Sequence, residues 1–186
     1  MKLFGSLTSP FVRHCRIALY ETDTDYEFEE ADGTVRAQLS PAQKVPFLHD
    51  GELHLYDSTA ILKYVRERAR QDWMADVREL DLYCLANTVL DSQLNLHLLQ
   101  RSGVDTEAVA YLKRQSARIK TGLADLDRRA GAGLQWHDGS IRLACLIGWT
   151  SYRELIDFSP YPNLEAWHDK ANNHASFQET APPPSA

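Results

Sequence analysis

At about 150 residues per domain, a chain of 186 residues fits one large domain or two small ones. Hydrophobic residues at 44% and charged residues at 25% give a soluble globular composition and exclude a disordered or collagen-like chain. The 20 basic and 26 acidic residues leave a formal charge of -6, without the basic surplus that binding a phosphate backbone requires, so no nucleic acid partner is expected.

The first 70 residues alternate strand and helix. Lys2 to Gly5 is a short apolar strand. Pro10 to Glu21 follows as a helix, with Ser9 as N-cap, Pro10 at the first helical position, and Phe11, Cys15, Ala18 and Leu19 at helical spacing. Tyr26 and Phe28 alternate with acidic residues in a second strand. Two apolar runs, Pro46 to His49 and Glu52 to Tyr56, flank Asp50-Gly51 and predict a hairpin with a tight primed turn. Asp57-Ser58 then caps a helix carrying Ile61, Leu62, Tyr64 and Val65, which ends on Arg66, Arg68 and Arg70. The expected order is strand, helix, strand, hairpin, helix.

Beyond residue 72 the pattern turns helical. Helices are predicted over about 72–101, 106–130, 140–157 and 163–173, broken at Gly103, at Gly131 and Gly133, and at Pro160 and Pro162. Leu112, Ile119 and Leu126 recur every seventh residue and mark a buried stripe. The prolines of Ala181 to Ala186 predict a loose tail. The expected organisation is an α/β domain over 1–72 and an all-helical domain over 73–186.

Cys15, Cys84 and Cys145 form no CxxC pair, which argues for a reducing compartment over a disulfide framework. Thr8, Ser9, Pro10 and Arg13 interrupt the start of the chain before a signal-peptide core could form. The apolar run from Leu143 to Trp149 is far short of the roughly 20 residues of a membrane span. A cytoplasmic protein with no membrane partner is expected. The histidines show no metal-ligand spacing, so no metal is expected either.

Three segments could carry chemistry, and each also has a plain structural role. Ser9 either caps its helix only, or joins Thr8 and free backbone N–H groups in stabilising an anion such as a thiolate. Pro46 either stiffens a turn or leaves the N–H and C=O of Val45 free to pair with an extended peptide. Asp57 and Ser58 either cap a helix or hold the ammonium and carboxylate of an amino acid.

Thr8-Ser9-Pro10-Phe11-Val12-Arg13, Lys44-Val45-Pro46 and Tyr56-Asp57-Ser58 with Ala60-Ile61 resemble the N-terminal, thioredoxin-like domain of cytosolic glutathione transferases, in particular the bacterial serine- or cysteine-type branches. Pro162 to Trp167 and Ser176-Phe177 resemble that family's last helix and its exit. The resemblance implies a glutathione transferase fold, a thioredoxin-like domain followed by an all-helical one, with glutathione as co-substrate. It implies that Ser9, with Thr8 as rival, activates the thiol. Val45 would offer its backbone to the cysteinyl unit before a cis Pro46, and Asp57 and Ser58 would hold the γ-glutamyl head. Gln43 or Lys44 would approach the glycyl end. A small electrophilic acceptor would lie between the domains, and the protein would be a homodimer.

The family's buried C-terminal helix starts with serine or threonine followed three residues later by aspartate. Here Ser140 is followed by Leu143, so half of that capping box is expected to be missing. The chain is also shorter than most relatives, with little beyond Phe177 to roof an acceptor pocket. Two other readings stay open: a non-catalytic interaction or regulatory module on this fold, and a glutathione-dependent thiol oxidoreductase. The second would need a reactive cysteine where Ser9 stands; Cys15, on the apolar side of its helix, reads as core.

Overall fold

The computed structural model describes residues 1–74 and 76–184. The chain divides into two compact units, one of Met1–Ala75 with Asn172–Ala186, the other of Asp76–Ala171.

The first unit is built on a mixed sheet of order β2-β1-β3-β4, with β1 Lys2–Gly5, β2 Glu27–Glu30, β3 Phe47–Asp50 and β4 Leu53–Leu55. Strands β1 and β2 are parallel across the crossover helix α1 (Pro10–Glu21), while β1 with β3, and β3 with β4, are antiparallel. Leu3, Phe4, Phe47 and Leu48 are all buried, so both faces of the central strands are covered. On one face Phe4 and Phe47 stack with ring centroids 4.5 Å apart, among Ala31, Val35, Val45 and Tyr56. On the other side α1 packs against α3 (Ser58–Arg68), which supplies Ile61, Leu62 and Val65. A Cβ on Gly5 would lie 2.6 Å from Val12 Cγ2, so glycine here lets α1 start close to the end of β1.

Two details depart from the sequence expectation. The hairpin loop is Gly51-Glu52, since Asp50 still pairs with Leu53; Gly51 takes φ +60° at the first loop position. A short helix α2 (Gly33–Leu39) was not expected between β2 and β3. Asp32 Oδ1 accepts the N–H groups of Thr34 (2.8 Å) and Val35 (2.9 Å) and starts the helix.

The second unit holds α4 (Val77–Arg101), α5 (Ala110–Gly131), α6 (Asp138–Tyr152) and α7 (Pro162–Ala171). Helix α4 packs on α5 and α6, and α7 on α5 and α6. Helix α6 is buried through most of its length, and Leu112, Ile119 and Leu126 of α5 are buried as their spacing predicts. Asp127 on α5 caps α7 across the fold: Oδ1 accepts the N–H groups of Asn163 at 2.9 Å and Leu164 at 3.1 Å. No helix among the described residues is long and apolar enough to cross a membrane.

The start of α6 corrects the expectation of a half-missing capping box. The helix begins at Asp138, so Ser140 is its third residue and His137 is the N-cap. His137 Nδ1 accepts the Ser140 N–H at 3.3 Å, and Ser140 Oγ accepts the His137 N–H at 3.1 Å. The reciprocal box is complete, with imidazole and hydroxyl as its acceptors in place of hydroxyl and carboxylate.

The last residues also differ from the expected assignment to the helical part. From Asn172 the chain belongs to the first unit, where α8 (Ala175–Glu179) packs on α1. Arg16 Nη1 donates to the Thr180 carbonyl at 3.2 Å, and Ser176 Oγ bonds to Glu21 Oε1 at 2.8 Å. Of the expected tail, residues 181–184 have no regular structure; Ser185 and Ala186 lie outside the described residues.

Candidate functional site

The strand register gathers the three candidate segments at one edge of the sheet. Phe4 near the end of β1 lies opposite Phe47 at the start of β3, and Leu48 lies opposite Leu55 at the end of β4. The loop leaving β1, the loop entering β3 and the turn leaving β4 therefore share that edge. Both α1 and α3 begin there, so two sets of unpaired N–H groups with partial positive charge face it.

Ser9 is the N-cap of α1, in extended conformation (φ -81°, ψ 128°), and its Oγ accepts the Val12 N–H at 3.4 Å, a long bond for a cap. Its own hydroxyl proton has no acceptor among the described residues. The rival Thr8 is placed differently: its Oγ1 lies 3.2 Å from Ser6 Oγ, and the two hydroxyls share a hydrogen bond. The loop is tied to β2, where Glu30 Oε1 accepts the Leu7 N–H at 3.3 Å and Ala31 N–H donates to the Gly5 carbonyl at 2.8 Å.

The Val45–Pro46 peptide bond is cis. Val45 is half-buried against the Phe4 and Phe47 rings, which fixes it from its side-chain side. Its N–H and C=O have no hydrogen-bond partner among the described residues, so both are available to an extended peptide laid along this edge. Gln43 precedes it in the left-handed region (φ 49°), with its N–H bonded to the Ser40 carbonyl at 2.9 Å.

Asp57 is the N-cap of α3, and its Oδ1 accepts the Thr59 N–H at 2.9 Å. Its Oδ2 accepts Lys44 Nζ at 2.9 Å. Burial works against the charge, but the bonds from Lys44 and from the Thr59 backbone outweigh it and hold the carboxyl below the usual carboxylate range. Asp57 is therefore an anion at neutral pH. Ser58 is buried at the first position of α3, and its carbonyl lies 3.9 Å from Cys15 Sγ. Cys15 is fully buried in the core of the first unit.

Sequence reasoning singled out Lys44 and Asp57 separately; the structure joins them. They are 13 residues apart on different elements, and no local pattern signals the pair. It also passed over Ser6, whose hydroxyl engages Thr8; the only trace is the clustering of hydroxyl residues in Ser6-Leu7-Thr8-Ser9. No cluster among the described residues could hold a metal ion.

Residues 3–73 match the model of the glutathione S-transferase N-terminal domain. The chain is 32% identical to a probable glutathione S-transferase, GSTF1, of rice (Oryza sativa subsp. japonica), over 97% of this chain and 95% of the relative. It is 29% identical to the uncharacterized GST-like protein YibF of Escherichia coli, over 98% and 99% of the two chains. Among solved structures, a glutathione S-transferase from Methylobacillus flagellatus with GSH bound superimposes with a TM-score of 0.84 at 26% identity, covering 98% of this chain and 99% of the other. With this fold and these relatives, the chain belongs to the glutathione S-transferase family.

Proposed function

We propose that this protein binds glutathione at the edge formed by its first unit and promotes attack of the glutathione thiolate on a small electrophile. The observation that supports it most is the Ser9 hydroxyl: it sits at the N-terminus of α1 with no acceptor for its proton among the described residues, at the same edge of the sheet as the backbone of Val45. A thiolate accepting from Ser9 gains a hydrogen bond and a helix terminus together. Lowering a thiol pKa from about 8.5 to about 6.5 needs roughly 2.7 kcal/mol and raises the thiolate fraction at pH 7 from roughly 3% to about 75%. A bond to a charged group at about 1.5–3 kcal/mol, with a helix terminus at about 0.3–1 kcal/mol, covers that amount.

The remaining residues position the peptide. Val45 pairs its N–H and C=O with the cysteinyl unit next to cis Pro46, Asp57 takes the γ-glutamyl ammonium, and Ser58 takes the γ-glutamyl carboxylate at the start of α3. Gln43 and Lys44 are placed for the glycyl carboxylate. The thiol proton leaves to solvent, the sulfur lone pair forms the new bond to the electrophilic carbon, and a leaving group such as halide departs with its electron pair. No enzyme-bound covalent intermediate is involved, in keeping with the absence of a cysteine at position 9. The same reading carries a homodimer in the cytoplasm.

The test is retention on immobilised glutathione together with conjugation of glutathione to an aromatic halide. Binding and a rate above the buffer reaction are expected. Failure of both would overturn the proposal, and binding without a rate would reduce it to a glutathione-binding interaction module.

A further inference from the structure

The second unit carries a cavity of its own. It opens between α4, α5 and the segment that follows α6, and its volume of about 540 Å³ falls in the range of small-molecule sites. The floor is buried. Leu96 of α4 and Ile119 and Leu123 of α5 make it apolar, and Gln93, only 9% exposed, sets a carboxamide among them. That carboxamide has no hydrogen-bond partner among the described residues. Nearby on the same helix, Ser92 Oγ donates to Gln115 Oε1 and Gln100 Nε2 to Thr106 Oγ1, each at 3.1 Å. A donor and an acceptor buried without partners carry a free-energy cost, so a ligand that satisfies both is favoured there. The rim carries the exposed side chains of Lys120, Glu154 and Asp157, none of them in an ion pair among the described residues. One positive and two negative side chains at the mouth disfavour an anionic ligand.

We propose that this cavity binds a small neutral molecule with a largely hydrocarbon body and one carboxamide group. The two amides pair head to head: Gln93 Nε2 donates to the ligand carbonyl, and the ligand N–H donates to Gln93 Oε1. The hydrocarbon body covers Leu96, Ile119 and Leu123 and removes their remaining surface from water. An ionised carboxylic acid of the same shape accepts from Gln93 Nε2 but offers no donor to Oε1, and its charge meets Glu154 and Asp157. Every residue used here belongs to the second unit, so the inference does not rest on the glutathione reading.

Heteronuclear NMR titration of wild type and Gln93→Met with hydrocinnamamide and with hydrocinnamate tests the site. The two probes share a shape and differ in charge and in the amide N–H. Hydrocinnamamide is expected to shift the Gln93 side-chain amide and the backbone amides of Leu96, Ile119 and Leu123 saturably, with hydrocinnamate bound at least about tenfold more weakly. Gln93→Met keeps the length of the side chain and loses the amide. It is expected to bind hydrocinnamamide about five- to a hundredfold more weakly, the range set by two neutral hydrogen bonds. Equal affinity for the two probes, shifts confined to other residues, no binding of either probe, or a Gln93→Met that binds hydrocinnamamide as tightly as wild type overturns the proposal. Where Gln93→Met does not fold, the comparison of the two probes on wild type decides.

Discussion

The Arg13 guanidinium lies 3.5 Å from the centroid of the Phe177 ring and donates through Nη2 to the Phe177 carbonyl at 2.7 Å, joining α1 to α8 across 164 residues of chain. Arg13 sits in the first turns of the helix that Ser9 caps, and both it and Phe177 are buried. The contact thus closes the first unit around the helix that positions the candidate thiol-activating hydroxyl.

Phe177→Ala removes a fully buried ring and leaves the Arg13 charge without its aromatic face. A loss of about 3–5 kcal/mol is expected in urea unfolding, with Phe177→Leu losing less. A loss under about 1 kcal/mol would show that α8 contributes little to the first unit.

The cap of α6 gives a second expectation. His137→Ala removes the acceptor for the Ser140 N–H and should cost about 0.5–2 kcal/mol, whereas His137→Asn, a stronger capping residue, should match or exceed wild-type stability. Ser140→Ala should cost at least as much as His137→Ala. Its hydroxyl accepts the His137 N–H and bonds to the Gln135 carbonyl at 2.6 Å, leaving two backbone groups unpaired. Equal stability of His137→Ala and His137→Asn would contradict the capping role.

Two half-buried histidines give a pH dependence of defined sign. Burial lowers the pKa of His49, helped by His54 and Lys2, and burial lowers that of His97, helped by Arg101 and Arg153. A folded pKa below the unfolded value means that the unfolded chain binds protons first. The contribution is fully present above the ordinary value near 6.5 and is lost as pH falls through the folded values. Thermal unfolding between about pH 7.5 and about pH 5.5 should show falling stability for wild type and a flatter profile for His49→Gln combined with His97→Gln. An identical slope in the two proteins would rule the histidines out as its source.

The parts of the fold legible in the sequence are those with strong local signals. Ser9-Pro10 marks the start of α1, Asp57-Ser58 the start of α3, and the seven-residue stripe of α5 its buried face. One helix end was harder to read, for a physical reason. Helix α6 is closed by a left-handed residue that is not glycine, Glu154 (φ 53°). In α6, Glu154 N–H bonds to the Ser151 carbonyl at 3.0 Å and Leu155 N–H to the Thr150 carbonyl at 2.9 Å, a Schellman closure that no glycine announces. The sequence pattern accordingly carried this helix on to 157, whereas α4 ends where Gly103 (φ 82°) signals it.

At the candidate site, the capping residues and the Val45-Pro46 step were legible because each obeys a local rule. The Lys44–Asp57 pair was not, because it depends on the register that brings the start of β3 and the end of β4 to one edge. The surroundings of Ser9 and Thr8 also needed three dimensions. Ser9 Oγ accepts the Val12 N–H, whereas Thr8 Oγ1 lies 3.2 Å from Ser6 Oγ, and either of those two hydroxyls can donate.

The most direct measurement is the apparent pKa of the glutathione thiol on the protein, followed by ultraviolet thiolate absorbance across pH, for wild type, Ser9→Ala and Thr8→Ala. Wild type should lower the thiol pKa by about 2 units from its usual value near 8.5. Ser9→Ala should return most of that shift while still binding glutathione, and Thr8→Ala should keep it. A bound thiol that titrates as it does in water on the wild-type protein, or a shift that survives Ser9→Ala, would contradict the role of Ser9 as the donor to the thiolate.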